Sequence, residues 1–130
     1  DAAGPSAAED YTTIMLCQLP PALSLEGLVG ILDAQGYERC YDLVHLVSAN
    51  RRLVSGAPDL SIGYAFVNFC SFADAKMFRE LFHGIPLDSA HPDRCCVIRT
   101  SYIQGFLPSL RALEQSKKRG KLRGSAVVQL

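Results

Sequence analysis

The sequence predicts an α+β domain: a four-stranded antiparallel sheet carrying two helices on one face, with a further helix at the C-terminal end. Three observations predict it. Apolar runs of strand length alternate with two stretches of helical period in the order β-α-β-β-α-β. A chain of 130 residues fits one core. A composition of 48% apolar and 20% charged residues is that of a folded globular chain rather than a disordered one. That order of elements is the split β-α-β, or ferredoxin-like, sandwich.

The elements follow in chain order. Residues 1–11 include "DAAGPSAAED", which lacks the basic and apolar regions of a signal peptide and reads as a linker. The chain starts at Asp rather than Met and so reads as a fragment or processed product of a longer one. "TTIMLCQL" is β-branched and apolar and is stopped by Pro20 and Pro21, which lack the N–H of a central ladder; it is the first strand. Ser24 caps a helix in which Leu25, Leu28, Val29 and Leu32 recur at helical spacing, and Gly36 is free to take the left-handed terminating conformation. "YDLVHLV", Tyr41 to Val47, is the second strand, followed by the polar loop "SANRRLVSGAPDLS". "IGYAFVNF", Ile62 to Phe69, is the third. Ser71, with Asp74 three residues on, resembles a capping box for a helix whose Ala75, Phe78, Leu81 and Phe82 share one side before Gly84. "RCCVIRTSY" is the fourth strand. Phe106, Leu107, Leu110 and Leu113 then make an amphipathic helix from about Phe106 to Gln115. The domain is thus read as 12–115, with 116–130 as a basic tail.

The charge is uneven. Thirteen Lys and Arg balance thirteen Asp and Glu, yet every acid lies at or before Glu114, while Lys117, Lys118, Arg119, Lys121 and Arg123 crowd the end. That tail reads three ways: a solvated run, a nucleic-acid clamp, or a targeting or partner-binding patch. Its last residues, Ala126, Val127, Val128 and Leu130, are apolar enough to dock on something. Five cysteines, Cys17, Cys40, Cys70, Cys95 and Cys96, show neither C-x-x-C spacing nor a His at zinc-ligand distance, so they read as small buried hydrophobes in a reducing compartment. No metal or cofactor is expected. No paired carboxylates, H-E-x-x-H, phosphate loop or G-x-S-x-G elbow is present, so no enzyme activity is expected. No apolar run reaches the ~18 residues of a membrane span, and an intracellular location, nucleus or cytoplasm, is expected.

The third strand carries the specific signal. Period-two alternation puts Tyr64, Phe66 and Asn68 on the face opposite Ala65, Val67 and Phe69, so two rings sit mid-sheet on the side without helices. "IGYAFVNF" resembles the octamer of the RNA-recognition motif at every position but the first, where Ile62 replaces a basic residue. The companion hexamer is met by Ile14, Leu16 and Leu19, with Met15 at its aromatic position and Gln18 at its Asn. "TTIMLCQLP", "YDLVHLV", "GYAFVNF" and "YIQGFLPSLRAL" are similar to the C-terminal RNA-recognition motif of the Mei-two-like meiosis-regulator family, over roughly Thr12 to Gln115. In that family the hexamer carries Met, and an Ile-Gln-Gly turn, matched by Ile103, Gln104 and Gly105, leads into a further helix. The basic residue that the family has just before that turn is replaced by Tyr102.

The resemblance implies a single-stranded RNA-binding module acting in post-transcriptional regulation. An exposed ring replaces a neighbouring base as stacking partner for about 1–3 kcal/mol. Tyr64 and Phe66 are the expected platform, Met15 adds a polarizable apolar contact, and Asn68, Arg99 and Ser101 share the outer face. Arg51, Arg52, Lys117, Lys118 and Arg119 are the phosphate-neutralising candidates. The alternative is a protein-interaction or structural subunit that keeps the fold and holds a partner through its sheet or C-terminal helix. Ile62, Tyr102 and the acidic body motivate it. The deciding question is whether the last helix folds over Tyr64 and Phe66.

Overall fold

A computed structural model describes residues 11–48, 61–119 and 123–129. In order, the elements are β1 (Thr13–Cys17), α1 (Leu25–Leu32), which runs into a π-helical turn (Asp33–Tyr37), β2 (Tyr41–Ser48) and β3 (Ser61–Phe69), then α2 (Phe72–Phe82), β4 (Val97–Thr100), α3 (Phe106–Arg119) and β5 (Arg123–Val128). The strands form one sheet in the order β4-β1-β3-β2-β5, and every neighbouring pair is antiparallel.

The α+β sandwich is as the sequence predicts, with a fifth strand added. β5 pairs along β2 from Leu43↔Val128 to Ser48↔Arg123. The segment read as a basic tail therefore holds the end of α3 and a strand, and Val127 and Val128 dock at the free edge of β2. An uncovered edge leaves a row of unpaired backbone groups, so covering it satisfies them.

Local chemistry sets the helix ends. Ser24 Oγ accepts from Gly27 N at 3.0 Å, and Ser71 Oγ accepts from Asp74 N at 3.1 Å while donating to the Asp74 carboxylate. Gly36 has φ 96, the left-handed conformation that interrupts the helical run after α1. Inside β3, Gly63 has φ 102, and its carbonyl accepts from Leu19 N at 2.9 Å. A side chain there would be strained, which accounts physically for a Gly at this octamer position. Gln18, at the hexamer's Asn position, also has positive φ, at 64, a conformation Asn tolerates better than Gln.

Helices α1 and α2 cover one face of the sheet. Ile14 and Leu16 of β1, Val44 and Leu46 of β2, Ala65, Val67 and Phe69 of β3 and Ile98 of β4 meet Leu28, Leu32, Ala75 and Phe78, all buried. Each fully buried large side chain contributes about 1.5–3 kcal/mol. Phe78 is the hub, with ring centroids of Tyr37, Phe69 and Phe82 at 5.3, 5.5 and 4.7 Å. Leu81 does not share this face; it is 56% exposed, because the Ala75, Phe78 and Phe82 stripe leaves it on the flank of α2.

Burial also shows in two titrations. The Cys96 thiol is pushed up from 9.0 to about 12, first by burial. The Tyr41 hydroxyl rises from 10.0 to about 12, first by burial and then because it donates to Asp33 Oδ1 at 2.8 Å. Both groups hold their protons more tightly folded than unfolded, so their contribution is complete below about pH 9 and is lost as pH rises through 12. Melting temperature should fall steadily across that interval. Cys96→Ala should flatten the fall, and an unchanged slope in that variant would contradict the assignment.

Candidate nucleic-acid interface

The strand registers align side chains in a row across the outer face. Arg99 of β4 pairs with Met15, Met15 with Phe66, Phe66 with His45, and His45 with Ala126 of β5. A second row joins Val97, Cys17 and Tyr64. The Tyr64 and Phe66 rings meet edge to face, 5.8 Å apart at 90°, and His45 lies nearly parallel to Phe66 at 6.2 Å and 27°.

Helix α3 lies over the β2 side of this face. Leu113 is 7% exposed, and beneath it Leu43, His45 and Val47 are buried. Tyr64, Phe66 and Met15 are half-buried, and Arg99 is exposed. The helix therefore neither seals the two rings nor leaves the sheet bare. It covers β2 and stops at Phe66.

A polar network holds the helix there. Gln104 Oε1 accepts from Thr12 N at 2.9 Å and Thr13 N at 3.0 Å, and Gln104 Nε2 donates to Thr13 O at 2.8 Å and Ser101 O at 2.7 Å. Gly105 N donates to Thr13 Oγ1 at 2.8 Å. Thr13 Oγ1 donates to Asn68 Oδ1 at 2.6 Å, which also accepts from Thr12 Oγ1 at 2.8 Å, and Asn68 Nδ2 donates to Asp42 Oδ1 at 2.8 Å. The chain of bonds thus runs from the root of α3 across β1 and β3 to β2. Burial raises the Asp42 carboxyl pKa, and its bond from Asn68 works against that rise.

The expected site residues divide accordingly. Tyr64, Phe66, Met15 and Arg99 come together on the open half of the face. Asn68 does not belong with them: it is 3% exposed and its amide is spent on the network. Ser101 is 6% exposed and lines the edge of the cleft under α3 rather than the open surface. Lys117, Lys118 and Arg119 form the last turn of α3. Arg51 and Arg52 lie outside the described residues.

The sequence left the register of the second strand open, offering His45 as outward-facing alongside Tyr41 and Asp42, and missed Leu43 and Val47. The β2–β3 register shifts between Tyr41 and Leu43, which puts Tyr41 in the core and Leu43 on the outer face despite their two-residue spacing. It also misplaced the sheet-facing side of α3. Ser109, Ala112, Leu113 and Ser116 line the space above the sheet, whereas Leu107 is exposed. At 100° per residue, the helix is rolled by about 90° from the face the large apolar residues mark.

Among the described residues no cluster of His, Cys, Asp or Glu is placed to hold a metal ion, and no helix is long and apolar enough to cross a membrane. No protein-family model and no curated protein matches the chain. Among solved structures it is similar to one described as the Sxl-lethal protein/RNA complex, with a TM-score of 0.51 and 17% identity, over 92% of this chain and 81% of that one. The likeness shows the fold, a split β-α-β sandwich.

The network generates a stability prediction. Gln104→Ala removes four bonds, among them the acceptor of the buried Thr13 N, so it should cost about 2–4 kcal/mol, read as a lower urea midpoint. A midpoint within error of the parent chain would show that the network is dispensable.

Proposed function

We propose that the chain is a single-stranded RNA-binding module that stacks unpaired bases on the open half of its sheet. One observation carries this reading: Tyr64, Phe66 and Met15 sit half-exposed in mid-sheet, with Arg99 at the end of the same row. Buried apolar side chains need no such exposure, and a soluble domain that keeps rings there exposes area a flat ligand would cover. Arg99 supplies a cation for a phosphate or a stacking plane. The chain has no chemistry of its own in this reading; it holds RNA for regulation after transcription. The similar solved structure, itself a complex with RNA, supports the reading through its fold. The resemblance of "YIQGFLPSLRAL" to the Mei-two-like domain supports the finer assignment, and the Gln104 bonds give that motif a physical reason.

A second reading rests on a different surface. Met77 and Leu81, four residues apart on α2 and each 56% exposed, share a helix face away from the outer sheet surface, where a protein partner would find apolar area. The two readings use opposite faces and are compatible in one molecule.

Tyr64→Ala combined with Phe66→Ala separates them. Affinity for a randomised single-stranded RNA pool should drop about 30-fold or more, the worth of two stacked bases, while circular dichroism keeps the folded spectrum. Parental affinity in the folded double variant would rule out the sheet as the RNA site.

A further inference from the structure

The space between α3 and the sheet is a cleft of about 200 Å³. We propose that it is a slot for one unpaired nucleobase, inserted between the helix and the rings while α3 stays docked. The inference deepens the RNA reading and rests on it.

Four features of the cleft lead there. Three of its lining side chains are rings: His45 and Phe66 lie nearly parallel at 27° with centroids 6.2 Å apart, and Tyr64 meets Phe66 edge to face at 90°. A planar ligand matches that geometry and an aliphatic side chain does not. Its roof is kept high by small residues: Ser109, Ala112 and Ser116 recur at three- and four-residue steps on the face of α3 that meets the sheet. The cleft is large enough, since an apolar cavity of about 150 Å³ admits benzene. Its rim carries the Ser101 and Ser116 side chains, whose hydroxyls both donate and accept, as base edges require.

The cleft also continues the open platform. Phe66 belongs to both: one flank faces Met15 and the other lines the cleft. A strand of RNA whose first base covers Met15 and Phe66 delivers its next base to the mouth of the slot. The helix need not leave to admit it. Gln104 and Gly105 tie its root to Thr13, and Leu113 is held against the sheet by burial. Opening the helix would break those bonds and expose Leu43 and Val47, whereas filling an existing gap breaks nothing.

The test is a methyl NMR titration of the intact chain with a randomised pool of eight-nucleotide single-stranded RNA. The Leu113 and Leu43 methyls should shift through the base's ring current while staying dispersed, together with the Met15 methyl. A shift confined to Met15 overturns the slot and leaves the RNA platform standing. Leu113 moving to random-coil positions overturns it too, because the helix has then left the sheet. No shift anywhere removes both the slot and the RNA reading. In parallel, Ala112→Phe, or Ala112→Leu if the larger ring impairs folding, fills the slot from the helix side. Affinity should fall between about 5- and 150-fold, the worth of one stacked base, with the Met15 shift retained. Unchanged affinity in a folded variant would overturn the proposal.

Discussion

The amide of Gln104 makes four hydrogen bonds, two through its oxygen and two through its nitrogen, and all of them end on backbone groups of Thr12, Thr13 and Ser101. That saturation explains why the chain turns where it does after β4. Thr13 O also accepts from Ser101 N at 3.0 Å, but the N–H groups of Thr12 and Thr13 find their acceptor in this one amide, and an unmatched buried group costs about 1–3 kcal/mol. Because Gly105 N reaches Thr13 Oγ1 and Thr13 in turn reaches Asn68, the root of α3 is bonded into the sheet. The position of the helix is therefore set from its root, by polar bonds, more than by apolar packing along its length.

That division of labour leaves the sheet with two different outer halves. Over β2 the helix supplies Leu113, and Leu43, His45 and Val47 are buried beneath it. Over β1 and β4 nothing covers Met15 and Arg99 fully, and Phe66 marks the border. A helix presenting its large apolar residues to the sheet would have closed the border. With Ser109, Ala112 and Ser116 presented instead, a gap remains beside the rings. β5 plays a complementary part at the far edge, where Gln129 N donates to Asp42 O at 2.9 Å and its side chain donates to Glu38 O at 2.7 Å. Asp42 is thus held from both sides, by Asn68 through its carboxylate and by β5 through its carbonyl.

Much of this was legible in the residues. Period-two alternation in "IGYAFVNF" separated core from outer face without error at Tyr64, Ala65, Phe66 and Val67, and Ser24 and Ser71 marked helix starts by their capping chemistry. Asn68 was placed on the outer face as alternation requires, but alternation says nothing of burial, and only the fold brings Thr12, Thr13 and Asp42 to it. β2 resisted for a definite reason: a register shift after Tyr41 inverts the parity by which alternation assigns faces. β5 was hidden by composition, since five cations around "KKRGKLRG" masked the β-branched pair Val127 and Val128, and nothing local tells a strand which edge it will find. The roll of α3 was unreadable because, of the helix's apolar stripe, Leu113 is buried on the sheet while Leu107 is exposed, and the stripe alone does not say which of its residues meets the sheet.

The central claim is that α3 is anchored over one half of the outer face and leaves the other half open. Solvent paramagnetic relaxation of the RNA-free chain, with a soluble nitroxide as probe, measures this most directly. The Met15 methyl and the Phe66 ring should relax several times faster than the Leu43 and Leu113 methyls. Equal, strong enhancement at all four would mean that the helix is not docked, and equal protection at all four would mean that the rings are sealed; either result would contradict the account.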